Sequence, residues 1–119
     1  MTPSQKVRFV ELLSELNATE FHHGDCIGAD AEAHRGALAL KIPVYVHPPT
    51  VANKRAFCEG ADFFHPAEDY LYRNRRIVDS TEILIAAPRT SREMLRSGTW
   101  ATIRYARKRG RPIYLITPD

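Results

Sequence analysis

Cysteine is scarce in this chain. Cys26 and Cys58 are the only two in 119 residues. That is too few for a disulfide framework, and both are expected to be reduced. Long apolar runs are missing as well. No stretch has the length or apolarity of a membrane span, and no basic-apolar-small leader opens the chain. The expectation is a cytoplasmic protein with no membrane partner. Internal repeats, low-complexity tracts and linkers are absent, so residues 1–119 are expected to form a single domain around one modest core. There is also no room for a strand ahead of the first helical stretch, which is unusual for an α/β chain.

Charge of one sign is lacking over long intervals. From Glu11 to Glu32 the chain has Glu11, Glu15, Glu20, Asp25, Asp30 and Glu32 but no Lys or Arg. From Arg89 to Arg111 it has Arg89, Arg92, Arg96, Arg104, Arg107, Lys108, Arg109 and Arg111 against Glu93 alone. The formal net charge of +3 hides this asymmetry. An electropositive end favours an anionic ligand, either a phosphorylated small molecule or a nucleic acid. The same run also reads as a solvated helix face.

What is present alternates between helical and extended patterns. Thr2-Pro3-Ser4-Gln5 has the form of a capping box with proline at the first helical position. Val7, Phe9, Val10, Leu13 and Leu16 continue it as an apolar stripe, and Asn17 ends it. Thr19 to His23 is a short strand. A helix is expected from Ala29 to Leu40, then a strand from Ile42 to Val46 stopped by His47-Pro48-Pro49. Thr50 to Gly60 is less legible, with a short helix possible around Val51, Lys54, Arg55 and Phe57. Asp62 to His65 is extended, and Asp69 caps a helix through Val78. Glu82 to Ala87 is an apolar strand of the kind buried in parallel sheets. A helix from Thr99 to Arg109 follows, with Gly110 as its C-cap, and Pro112 to Ile116 is the last strand. The alternation implies an α/β fold: a three-layer, Rossmann-like open sheet of four to five mostly parallel strands with right-handed crossovers.

Three stretches carry chemistry. Gly24-Asp25-Cys26-Ile27-Gly28-Ala29-Asp30 is a glycine-bearing strand-to-helix turn, where open α/β sheets hold ligands. Arg73-Asn74-Arg75-Arg76 lies on a helix, with Arg73 or Asn74 toward a pocket and Arg76 toward water. Ser97-Gly98-Thr99 opens a helix, where backbone N–H groups and the helix dipole suit a phosphate; it also reads as an ordinary N-cap. Asp30 has the same double reading, as a helix cap or as a contact to a ribose hydroxyl or base amine, and so has Asp25. His22 and His23 alternate across their strand, so only one can face the pocket. His22, His23, Asp25 and Cys26 lack the spacing that brings several ligands to one side, and no metal is expected. Cys26 reads as a free, small hydrophobe and Trp100 as a core residue.

Together and in this order, the segments Gly24 to His34, Arg73 to Val78 and Ser97 to Thr102 resemble the SLOG superfamily of Rossmann-like nucleotide-binding domains. The details are most similar to its DNA processing protein A branch, in Gly28-Ala29-Asp30 through His34, in Arg73-Asn74-Arg75 and in Ser97-Gly98-Thr99 followed by Thr102 and Ala106. The resemblance implies a pocket at the carboxyl ends of the strands. Gly24, Asp25, Gly28 and Asp30 would form one lip, Arg73 and Asn74 another, and Ser97, Gly98 and Thr99 would hold a phosphate. The superfamily opens with a strand and a glycine-(serine or threonine)-arginine turn that this sequence does not show, so the pocket is expected to lack one wall. An uncovered strand edge makes a homo-oligomer the expectation. The related LONELY GUY phosphoribohydrolases carry a catalytic glutamate where this chain has Thr102, which weighs against bond cleavage. No catalytic residue and no cofactor is assigned. The expected partner is a nucleotide or nucleotide-derived small molecule, held by a sensor or carrier. Single-stranded DNA is the alternative, because the DNA processing protein A family binds it, and an N-glycosidic or phosphoester hydrolase is the other.

Overall fold

The computed structural model describes residues 1–119. The elements run α1 (Pro3–Glu15), β1 (Phe21–His23), α2 (Ala29–Ala39), β2 (Val44–Val46), β3 (Phe63–Phe64), α3 (Tyr70–Asp79), β4 (Leu84–Ala86), α4 (Gly98–Lys108) and β5 (Ile113–Leu115). No helix is long and apolar enough to cross a membrane.

Local chemistry sets the helix starts. Thr2 Oγ1 accepts the Gln5 N–H at 3.1 Å and the Gln5 side chain accepts the Thr2 N–H at 2.9 Å, so the capping box is complete. Gln5 is buried, and its Nε2 also donates to the carbonyls of Pro88 and Ile116, each at 2.9 Å. One residue thus starts α1 and ties it to the ends of β4 and β5. Ser97 caps α4 through its hydroxyl, which accepts the Trp100 N–H at 3.3 Å. Asp69 stands at the N-cap of α3, but its side chain makes no capping bond. The short helix considered between Thr50 and Gly60 is reduced to a 3₁₀ turn at Ala52–Lys54. That loop takes its shape from tertiary bonds, since Ile27 N–H reaches Lys54 O at 3.1 Å and Ala56 N–H reaches Asp25 O at 2.8 Å.

Every strand pair is parallel. β1 pairs with β2, β2 with β3 and β4 with β5. The fold is α/β and Rossmann-like. Its five strands divide into a sheet ordered β1-β2-β3 and a second sheet, β4-β5. A single continuous sheet does not form, because no strand lies between β1 and β4. The larger core joins Phe9, Leu12 and Leu13 of α1 to Ala33 and Ala37 of α2 and Val44 and Val46 of β2. A smaller one joins Ala86, Trp100 and Ile103. Trp100 is therefore a core residue, and its indole N–H donates to Thr90 Oγ1 at 3.1 Å.

Candidate functional site: a cationic pocket at the strand ends

A cavity of about 380 Å³ opens where β1 and β4 end and α2 and α4 begin. This is the position at which open α/β sheets bind ligands. Gly24, Asp30, Arg73, Asn74, Gly98 and Thr99 line it. Asp25, Gly28 and Ser97 do not.

The β1-to-α2 turn is built from inside. Asp25, with φ of 57°, is fully buried and points away from the cavity. Its carboxylate accepts Arg55 Nε–H and Cys58 N–H, each at 2.9 Å. Burial alone would raise its pKa, but these hydrogen bonds outweigh burial and hold the carboxyl below its usual value. Asp25 thus anchors the loop beneath the site. Gly28 stands at the α2 N-cap with φ of 102°, a conformation that favours glycine. Asp30 reaches back over the turn, its Oδ2 accepting the Cys26 N–H at 3.1 Å.

Beneath the turn lies a chain of histidines. Asp25 N–H donates to His23 Nδ1 at 3.0 Å, so the His23 proton sits on Nε2, 2.9 Å from His34 Nδ1. His34 then carries its own proton on Nε2, 2.6 Å from Glu59 O. Each ring nitrogen has a role that suits a neutral imidazole. Burial lowers the His23 pKa to about 4, against an opposing pull from Asp30. The ligating atoms of His23, His34 and Cys58 lie within 4.8 Å of one another. A metal on His23 Nε2 would force a proton onto Nδ1, against the Asp25 N–H. Burial and the neighbouring Asp25 also push the Cys58 thiol up to about 12. The donor set fits a hydrogen-bonded chain and not a metal centre.

Arg73 is the pocket's central group. It is 1% exposed. Its Nη1 donates to the Gly24 carbonyl and weakly to His47 O at 3.4 Å, while Nη1 and Nη2 lie 3.6 and 3.5 Å from Cys26 Sγ. Its Nε has no partner. None of the ion pairs in the molecule includes it. A buried cation without a carboxylate is costly unless something else compensates it. Gly24 makes this placement possible, because a Cβ there would collide with the guanidinium. Asn74 beside it makes no side-chain hydrogen bond and is partly exposed. Arg76 does not face water as expected: its Nε donates to His47 Nδ1 at 3.1 Å and its Nη2 to Pro66 O at 3.0 Å.

The far wall is the start of α4. Gly98 is its first residue, and a Cβ there would strike the Tyr70 hydroxyl. Tyr70 also lies under the Arg73 guanidinium, 5.1 Å from ring centroid to Cζ. Thr102 donates its hydroxyl to Gly98 O at 3.0 Å. Arg89 adds a second cation to the lining. Tyr70, Cys26 and Arg89 complete the wall without having been singled out as contacts from the sequence. Tyr70 had a readable signal: Tyr70, Arg73, Asn74 and Ile77 fall at i, i+3, i+4 and i+7, one helix face, and all four line the cavity.

Neither a protein family model nor a curated protein matches the chain. Among solved structures, it is similar to the crystal structure of a putative molybdenum carrier protein from Syntrophus aciditrophicus SB, with a TM-score of 0.68 and 22% identity over 84% of this chain. The match spans 63% of that protein's own length. At this identity the likeness establishes the fold, a Rossmann-like α/β domain.

Proposed function

We propose that the protein binds an anionic small molecule, a nucleotide or a nucleotide-derived compound, as a carrier or sensor. The observation that carries this reading is Arg73, a buried guanidinium at the cavity wall with an unpartnered Nε and no carboxylate in ion-pair contact. A phosphate or similar oxyanion would supply the missing charge. Gly98 and Thr99, the first residues of α4, line the same cavity, where the helix start supplies the positive end of its dipole. Asn74 is free to hydrogen-bond a ribose or base edge. The molybdenum cargo in the name of the structural relative supports a carrier role and adds molybdate, an oxyanion, to the ligands worth testing.

Binding is favoured over bond cleavage. A hydrolase needs a general acid or base at the ligand. Asp30 is engaged by the Cys26 N–H, His23 and His34 are tied into their own chain, and Thr102 bonds the helix backbone.

The test is a thermal-shift and calorimetric titration with phosphate, molybdate and a panel of nucleoside mono- and diphosphates. At least one anion should raise the melting temperature, as mass action requires of a ligand that binds only the folded state. Arg73→Met should weaken that anion by about tenfold or more, the loss of one charge-assisted contact. Equal binding by Arg73→Met, or stabilisation by none of the anions, overturns the reading.

A further inference from the structure

The two cysteines stand in surroundings of opposite charge. Cys58 lies against a carboxylate. Its N–H donates to Asp25 Oδ1 at 2.9 Å, and its thiol hydrogen-bonds the same side chain. Burial and that carboxylate hold the thiol up at about 12, so it stays protonated and inert. Cys26 meets a cation instead. Its Sγ accepts from Arg73 Nη1 at 3.6 Å and from Nη2 at 3.5 Å, both arms of one guanidinium. Asp30 bonds the Cys26 backbone N–H and not the sulfur. Cys26 is half-buried and lines the cavity of about 380 Å³, so a small solute can reach the sulfur.

Arg73 supplies the second half of the arrangement. It is almost fully buried, lines the same cavity, and its Nε has no partner. No carboxylate pairs with it. Its acceptors are two carbonyls, Gly24 O and His47 O, and the Cys26 sulfur. Of these, only the sulfur has chemistry that can place a new anionic oxygen beside the cation. Reactive cysteines occupy partly exposed, electropositive surroundings of this kind.

We propose that Cys26 is a peroxide-reactive thiol, oxidised to a sulfenate that Arg73 holds in the cavity. The sulfur lone pair attacks the terminal oxygen of a hydroperoxide. An S–O bond forms and the O–O bond breaks. The departing oxygen takes the thiol proton and leaves as water, or as an alcohol from an organic hydroperoxide. Sulfur loses two electrons and the peroxide gains them. The product, the sulfenic acid of Cys26, releases its proton to solvent and leaves an anionic oxygen beside Arg73. The guanidinium acts twice. It stabilises the negative charge that develops on the departing oxygen, and it then donates charge-assisted hydrogen bonds to the sulfenate. Sulfenates are commonly lost by condensing with a second thiol. Here the other thiol, Cys58, is engaged with Asp25, so the sulfenate persists.

The experiment treats the folded chain with a limiting dose of hydrogen peroxide, traps sulfenates with dimedone and locates the adduct by peptide mass spectrometry. No anion is added, so the outcome is separate from the ligand titration. Cys26 should carry at least about ten times more adduct than Cys58, and a thiol reductant given before the dimedone should abolish the signal. Arg73→Met should slow trapping at Cys26 by about tenfold or more, the loss of a cation at the developing charge. Arg73→Lys, which keeps a charge but not the two-armed geometry, should fall between. Cys58 reports folding in each variant, since it is protected only while its loop is bonded to Asp25. Should the Met form unfold and label both cysteines, the Lys form carries the comparison. Equal labelling of the two cysteines in the native protein overturns the inference. So does a Cys26 rate that is unchanged in the folded Arg73 variants, which would make exposure alone the cause of its reactivity.

Discussion

Single side chains at this site settle what their neighbours can do. Arg73 is held under the pocket by the absence of a side chain at Gly24, and Tyr70 is seated over α4 by the absence of one at Gly98. Gly24→Ala should displace the guanidinium and reduce anion affinity at least as much as Arg73→Met, measured by the same calorimetry; unchanged affinity would show that Arg73 is not the binding group. Asp25 acts from below, and breaking a buried ion pair by removing one partner typically costs about 3–5 kcal/mol. Asp25→Ala should lower the stability in urea by roughly 3 kcal/mol, since it leaves Arg55 and the Cys58 N–H unpaired. A loss within experimental error would remove Asp25 from the scaffold. The histidines add a pH dependence. Burial lowers His23 to about 4, and burial with the nearby His65, His22 and Arg76 lowers His47 to about 3. Unfolded, both return to about 6.5. Below that pH the unfolded chain binds more protons than the folded one, so stability is lost as pH falls from 6.5 toward 4. The loss between pH 7 and pH 5 should be on the order of 2 kcal/mol per histidine, read from urea midpoints across that range. A flat profile would mean the two rings are not held neutral.

At the scale of elements, legibility followed the locality of the cause. α1, α2 and α4 could be placed from caps and apolar spacing because their starts are written in adjacent residues, Thr2 with Gln5 and Ser97 with Gly98. The parallel strands followed from short apolar runs between those helices. The Thr50 to Gly60 loop was not legible, because its shape comes from residues far away: Asp25 O and Ile27 N–H bond it, and Phe57 takes a φ of 53°. The division of the sheet was also unreadable, because it depends on which strands meet across the fold. Within the site, Gly24, Asp30, Arg73, Asn74, Gly98 and Thr99 line the cavity, while Asp25, Gly28 and Ser97 shape it from outside. A turn sequence names the residues of the turn, but which of them face inward depends on partners such as Arg55 and Cys58 that local pattern cannot reveal. Gln5 illustrates the same limit. As a capping residue it was expected, yet its amide also satisfies the Pro88 and Ile116 carbonyls. Thr2→Ala should therefore cost about 1 kcal/mol, whereas Gln5→Ala should cost more, roughly 2–3 kcal/mol, by stranding two buried acceptors. Equal losses in chemical denaturation would mean that the cap alone accounts for Gln5.

For the whole molecule, the decisive question is whether the basic half of the chain is available to a polyanion. Several of its charges are already matched. Arg104 and Arg107 both reach Glu93, at 2.9 and 3.7 Å, and Arg109 reaches Asp79 at 3.1 Å. Of Arg104 and Lys108, four residues apart on α4, the first is thus already paired. Stacking groups are few on this side as well. Tyr105 donates its hydroxyl to Asp79 and lies beneath Arg75, 5.4 Å from ring centroid to Cζ, so its face is taken. Sequence-tolerant binding of single strands combines a groove of free cations with exposed aromatic faces, and on α4 Arg104, Arg107 and the face of Tyr105 are already engaged within the molecule. The one cation that is buried without an acid, Arg73, sits in a cavity of about 380 Å³, the size of a small-molecule site. A labelled oligonucleotide should accordingly bind no more tightly than about 100 μM at physiological salt, the weak end of non-specific association. Arg104→Ala with Lys108→Ala should leave that value unchanged, while the anion affinity of the pocket also stays as it was. Micromolar binding at low salt, with a steep salt dependence abolished by the double substitution, would instead make the α4 surface a nucleic-acid interface and the pocket secondary to it.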